Sequence, residues 1–159
     1  MESLMRIETE RKFLVKDQSF KENVLAVHHI KQGYIAHDGG NTVRVRILDE
    51  RGVLTIKGPF LGQIGRPEWE KIISPGEAKD LFGLCRGGVI EKNRYVVEAG
   101  GSVFEVDEFL GANEGLVMAE IELDSPEQDF FRPSWLGEEV TSDKRYYNSW
   151  LTRHPFTTW

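Results

Sequence analysis

Ile7-Glu8-Thr9-Glu10-Arg11-Lys12-Phe13-Leu14-Val15 decides how this chain is read. In an extended strand alternate side chains face the same side, so Glu8, Glu10 and Lys12 share one face. Ile7, Phe13 and Val15 have the other parity. One face is charged with both signs, and the other is mostly apolar and needs a second layer to cover it.

The same period of two recurs along the chain. Arg44 and Arg46 share a face opposite Val43, Val45 and Ile47, and Lys57 shares one with Thr55 opposite Leu54 and Ile56. Glu68 and Glu70 flank Trp69, Lys92 and Arg94 flank Asn93, Glu105 and Asp107 flank Val106, and Glu120 and Glu122 flank Ile121. A solvated face explains any one of these strands. A solvated face usually also carries Ser, Thr, Gln and Asn, whereas here tight pairs of carboxylates or of cations repeat from strand to strand.

Turn residues punctuate these runs. The first run spans 7–15, and a helix is expected over 17–27 with Asp17 as its cap. A short run at 33–37 precedes the turn Asp38-Gly39-Gly40-Asn41. Strands at 42–48 and 53–57 form a hairpin across Asp49-Glu50-Arg51-Gly52, and another run covers 66–73. Ser74-Pro75-Gly76-Glu77 reads as a capping box with proline at the first helical position, opening a helix that ends near Cys85. Strands at 89–97 and 103–110 pair across Glu98-Ala99-Gly100-Gly101, and 116–123 is a further strand. Ser125-Pro126-Glu127 signals a short helix, and a last helix is expected from Ser142 to Thr152. The fold class is α+β, mainly antiparallel β: about eight strands in a barrel or sandwich, with helices packed outside.

The chain has 159 residues, room for one domain with a sizeable core. Apolar residues make up 40%, and the formal net charge is -6. That balance argues against a general nucleic-acid binder. Cys85 is the sole cysteine, which fits a reducing compartment. Met1–Arg6 lacks the apolar run of a signal peptide, and nothing approaches the roughly 20 apolar residues of a membrane span, so a cytoplasmic protein without a membrane partner is expected.

The charged pairs suggest a chemistry. Carboxylates two apart on a strand lie about 6–7 Å apart at the backbone, and their side chains can converge on one hard cation such as Mg²⁺ or Mn²⁺. Arginine pairs offer planar forks matched to phosphate oxygens, and Lys12, Lys57 and Lys92 act as point charges. A polyphosphate that brings metal with it suits both signs.

At this point the chain resembles a known family. Glu8-x-Glu10-x-Lys12 is similar to the signature of the CYTH domain, whose members are called triphosphate tunnel metalloenzymes. Thr42-Val43-Arg44-Val45-Arg46, Leu54-Thr55-Ile56-Lys57, Glu68-Trp69-Glu70, Lys92-Asn93-Arg94, Phe104-Glu105-Val106-Asp107 and Ala119-Glu120-Ile121-Glu122 resemble the later motifs in order. Asp143-Lys144-Arg145-Tyr146 resembles the C-terminal basic segment. The resemblance covers almost the whole chain and implies a single domain over 1–159, folded as an eight-stranded closed antiparallel tunnel lined with charge. It implies Mg²⁺- or Mn²⁺-dependent chemistry on a small-molecule triphosphate. The short chain and Gln32-Gly33-Tyr34 look most like small bacterial members, for which hydrolysis of inorganic triphosphate to pyrophosphate and phosphate is the leading activity.

On that basis Lys12, Arg44, Arg46, Lys57, Lys92 and Arg94 hold the triphosphate, with Lys144 reaching toward it. Lys12, Lys57, Lys92 and Arg94 are the catalytic candidates, stabilising the charge of phosphoryl transfer. Glu8, Glu10, Asp107, Glu120 and Glu122 are the metal-binding candidates, and Glu68, Glu70 and Tyr34 support them. An adenylate cyclase of the same fold, a thiamine triphosphatase and a non-catalytic polyphosphate-binding module are the competing readings. A homodimer is compatible with the sequence, which does not set the oligomeric state. His28 and His29 are adjacent and point apart, so they are not read as a metal pair. Cys85, beside Leu81, Phe82 and Leu84, is read as a structural thiol.

Overall fold

The computed structural model describes residues 5–62 and 64–159, so most of the Met1–Arg6 stretch read for a signal peptide lies outside the described residues. Among the described residues nine strands are present: β1 Arg6–Val15, β2 Val24–Asp38, β3 Asn41–Leu48, β4 Arg51–Lys57, β5 Gly65–Ile73, β6 Arg86–Ala99, β7 Ser102–Phe109, β8 Val117–Glu122 and β9 Leu136–Glu139. Two α-helices join them, α1 Pro75–Phe82 and α2 Asn148–Leu151. The sheet runs β5-β4-β3-β2-β6-β7-β8-β1, and β1 pairs back onto β5, closing an eight-stranded antiparallel barrel. The closing register is Arg6↔Glu68, Ile7↔Pro67, Glu8↔Arg66 and Thr9↔Gly65. β9 lies outside the eight-strand circuit and pairs with β1 at Phe13 and Val15.

The period-two pattern sorts as the two faces require. On the outside Phe13, Val97, Phe104, Val106, Ala119 and Ile121 are buried beneath Phe20, Trp135 and Leu136. Phe104 and Trp135 meet edge to face at 5.3 Å, a favoured aromatic geometry. Closure turns the charged face inward. Cross-strand partners share a face, so Glu10↔Glu122, Lys12↔Glu120, Arg94↔Asp107, Lys57↔Glu68 and Thr55↔Glu70 all project into the barrel. Toward one end the interior becomes apolar, where Ile90, Phe109, Leu116 and Met118 close around Leu151 of α2.

Several expected boundaries are corrected. The helix over 17–27 is one 3₁₀ segment, Gln18–Asn23, capped as expected by Asp17, whose carboxylate accepts from the Ser19 amide at 2.9 Å. Val24-Leu25-Ala26-Val27 joins a fifteen-residue β2 that absorbs the short run at 33–37. Pairing with β6 over its length outweighs the local helix signal, and two valines in four favour a strand. The hairpin turn narrows to Asp49-Glu50, with Asp49 in the left-handed region at φ 55°. Ser125-Pro126-Glu127 opens a turn rather than a helix, closed by the Gln128 amide donating to the Ser125 carbonyl. The C-terminal helix breaks into a 3₁₀ segment, Lys144–Tyr146, and α2, with Tyr147 extended between them. β9 was not expected.

The box at α1 forms as read. The Glu77 amide donates to Ser74 Oγ and the Ser74 amide to Glu77 Oε1, both at 3.0 Å. The helix ends at Phe82, against Gly83, rather than near Cys85. No helix among the described residues is long and apolar enough to cross a membrane.

Candidate active site

The inward charges enclose a cavity of about 290 Å³ with two walls of opposite character. β1, β5 and β8 supply the acidic wall. Glu8, Glu10 and Glu122 each offer a carboxylate oxygen within 4.8 Å of the others. Burial, then the charges of Glu120 and Glu8, push the Glu10 carboxyl up to about 8 against the pull of Lys57 and Lys12. Burial and a hydrogen bond to Glu68 raise Glu8, and burial and Glu8 raise Glu122. Burial and mutual repulsion outweigh the cations beside two of these carboxylates, Lys57 at Glu8 and Arg6 at Glu122. An all-oxygen set of this kind fits a hard divalent cation.

The basic wall comes mainly from β3, β4 and β6. Burial first, then Arg44 and Arg94, bring Arg46 down to about 10. The Nε atoms of Arg44 and Arg46 are buried and have no hydrogen-bond partner among the described residues. Two guanidinium groups with open donors on one wall form a cradle for an anion's oxygens.

Other cations are clamped between the walls. Lys57 Nζ donates to Glu8 Oε1 at 2.5 Å and lies 3.6 Å from Glu68. Burial works against the Lys57 charge, but Glu10 and Glu8 outweigh it and raise its pKa. Burial also opposes ionised Glu68, yet its hydrogen bond with Glu8 and the charges of Lys57 and Arg6 bring it down to about 2. Lys12 Nζ lies 3.6 Å from Glu120, whose pKa is lowered because Lys12 and Arg94 outweigh its burial. Lys92 Nζ pairs with Asp107 at 2.8 Å, while Arg94 grips both oxygens of Asp107 at 2.7 and 2.9 Å and Glu105 at 3.0 Å. Burial lowers Lys92 to about 8 despite Asp107.

Of the residues singled out from sequence, Lys12, Arg44, Arg46, Lys57, Lys92 and Arg94 line this cavity together with Glu8, Glu10, Glu120, Glu122, Glu68, Glu70 and Tyr34. Two stand apart. Lys144 is exposed and does not line the cavity. Asp107 is buried behind Lys92 and Arg94, with both carboxylate oxygens taken by them. Arg6 and Arg66 line the cavity as well and stand outside the charged pairs, although Arg66 shares parity with Glu68 and Glu70 and Arg6 with Glu8. The pairs also leave out Tyr147, Asn148 and Ser149, which line the cavity from outside any strand. His28 and His29 sit on β2, where each ring meets a carboxylate at 2.7 Å, Asp49 and Glu91 respectively. Cys85 is half-buried, and burial raises its thiol pKa.

Comparison with known proteins agrees with this architecture. The family model described as the CYTH domain matches residues 6–149. An inorganic triphosphatase of Acetivibrio thermocellus is 47% identical over 150 residues, covering 94% of this chain and 95% of that protein. An inorganic triphosphatase of Nitrosomonas europaea is 35% identical over 148 residues, covering 91% and 95%. The crystal structure of the inorganic triphosphatase NE1496 superposes with a TM-score of 0.67 at 33% identity, covering 91% of this chain and 97% of that one. With a family-model match over residues 6–149, two relatives at 47% and 35% identity and a closed antiparallel barrel of eight strands, this chain belongs to the CYTH domain family.

Proposed function

We propose that this protein hydrolyses inorganic triphosphate to pyrophosphate and phosphate, with Mg²⁺ or Mn²⁺ as cofactor. One observation carries the reading: a trio of carboxylates raised by burial and mutual repulsion faces two arginines with unused donors across one cavity. Neither wall is balanced alone, and a polyanion accompanied by a divalent cation balances both. The names of the two relatives above favour inorganic triphosphate over a nucleotide.

In this reading Arg44 and Arg46, which both line the cavity, grip the phosphate chain with their guanidinium groups. Lys12, Lys57, Lys92 and Arg94 surround it with further positive charge. Their acidic partners hold them fixed, so little reorganisation is needed as charge shifts toward the leaving pyrophosphate. Glu8, Glu10 and Glu122 would hold the cation, with Glu120 beside them against Lys12. When bound, the cation supplies Lewis-acid polarisation of phosphate oxygens. Asp107, saturated by Lys92 and Arg94, acts instead as their anchor. The lone half-buried thiol suits a reducing compartment, and the cytoplasm is the proposed location.

Phosphate release from inorganic triphosphate, ATP and thiamine triphosphate, each with Mg²⁺, Mn²⁺ or chelator, tests this. Turnover of inorganic triphosphate should exceed the other two and vanish in chelator. Glu10→Gln should lower it by about 100-fold or more while the protein stays folded. Pyrophosphate release from ATP as the dominant reaction would identify a cyclase, and full activity in Glu10→Gln would remove Glu10 from the cation site.

A further inference from the structure

The C-terminal segment brings two oxygens to the tunnel lysines. The Tyr146 carbonyl accepts from Lys12 Nζ at 3.2 Å, and Asn148 Oδ1 accepts from Lys92 Nζ at 3.0 Å. Leu151, 1% exposed among Ile90, Phe109, Leu116 and Met118, pins α2 in place. Asn148 Oδ1 also accepts from Gln32 Nε2 at 3.3 Å, and Gln32 Nε2 donates to the Tyr34 hydroxyl at 3.1 Å.

The orientation of these amides follows from one lysine. An ammonium can only donate, so Asn148 must turn its oxygen to Lys92. Gln32 must then turn its NH₂ to Asn148, which leaves Gln32 Oε1 buried with no partner among the described residues. An orphaned carbonyl at a fully buried side chain is costly, so this arrangement is not the one that best satisfies Gln32 alone. It is the one that serves Lys92.

What distinguishes Asn148 from Lys92's other partner is charge. Lys92 and Arg94 already share Asp107, and Arg94 also meets Glu105. An aspartate at 148 would offer an oxygen at the same place and hold the ammonium at least as firmly. It would also cancel the charge that Lys92 presents to the cavity. We propose that Asn148 is a positioning residue that acts by its neutrality: it holds the Lys92 ammonium in the tunnel without cancelling its charge, and so sets the affinity for the anionic substrate. This rests on the triphosphate reading above.

The decisive comparison is Asn148→Asp against Asn148→Ala. If the contact serves only to hold the structure, the aspartate keeps it and should bind inorganic triphosphate better than the alanine. If neutrality matters, the order reverses. Calorimetric titration with inorganic triphosphate in chelator reads affinity without turnover. The expected dissociation constant is raised a few-fold in Asn148→Ala and about tenfold or more in Asn148→Asp, since a buried charge acts through a low local dielectric. In the metal-supplemented assay the change should fall on KM more than on kcat. Thermal melts check folding, and Gln32→Glu, which adds a carboxylate one step along the same chain, serves if Asn148→Asp does not fold. Binding by Asn148→Asp as tight as by Asn148→Ala overturns the proposal. Wild-type protein that binds inorganic triphosphate but does not hydrolyse it sinks the enzymatic reading and leaves the Asp-versus-Ala order to decide this one. Wild-type protein that binds none, in chelator and with Mg²⁺ alike, sinks both, and if binding needs Mg²⁺ the Asp-versus-Ala order is read there and from KM.

Discussion

Glu10 faces Glu122 directly across the β1–β8 ladder and has Glu8 and Glu120 nearby. Its carboxyl, raised to about 8 chiefly by burial, keeps its proton in the folded chain long after an unfolded chain has lost it. Between the unfolded value near 4.5 and about 8 the folded state therefore binds more protons than the unfolded one. Stability must fall as pH rises through that window. In chelator, the melting temperature of the wild type is expected to decline from pH about 5 to about 9, and Glu10→Gln should flatten the decline and melt higher at the alkaline end. A parallel decline in both proteins would count against the assignment. The same residues show what can be read from sequence at this scale. Glu8, Glu10, Arg44, Arg46, Lys92, Arg94, Glu120 and Glu122 were legible because a strand repeats every two residues. Asn148 was not, because it sits at the start of a four-residue helix where no period marks it. Asp107 shared the pattern of a ligand, and only its contacts reveal that Lys92 and Arg94 occupy both its oxygens.

Among the elements, α1 was the most legible, because a capping box is a local signal that four residues complete. Removing it should have a local cost. Ser74→Ala loses the bond to the Glu77 amide and should destabilise by about 1 kcal/mol. Gly52→Ala is expected to cost more. A methyl there would meet the carbonyl oxygens of Ile73 and Ser74 at 2.9 Å and the Ala78 methyl at 3.0 Å, forcing β4 and α1 apart for about 1–3 kcal/mol. Urea unfolding measures both, and kcat should stay at the wild-type value because neither residue lines the cavity. An unchanged midpoint in Gly52→Ala would mean that α1 is free to shift. β2 was misread for the opposite reason. The Asp17 cap is real but closes only one 3₁₀ segment, and the fate of Val24–Val27 was decided by β6, more than sixty residues away. β9 is four residues with two glutamates and a glycine, and it becomes a strand only because β1 has a free edge beside Phe13 and Val15.

For the whole molecule, strand number and antiparallel sense followed from the hairpins, but closure did not. Nothing in a period of two says that the first strand meets the fifth. That meeting turns the charged face from a surface into a lumen, and it is made by four register pairs, one of which uses Pro67 and so lacks an amide donor. Side chains reinforce the join: Arg6 grips Glu68, and Glu8 reaches past β5 to Lys57 on β4. The barrel is thus a rolled sheet with one short lap joint, and the groups that clasp the joint also line the cavity. Amide hydrogen exchange should expose this. The protons of Arg6–Thr9 and Gly65–Glu68 are expected to exchange sooner in the free protein than those of Lys12–Leu14, which lie between β8 and β9. Inorganic triphosphate with Mg²⁺ should slow the joint more than any other part of the sheet. The ligand then acts as a rivet, and the tunnel is most completely a tunnel when it is filled.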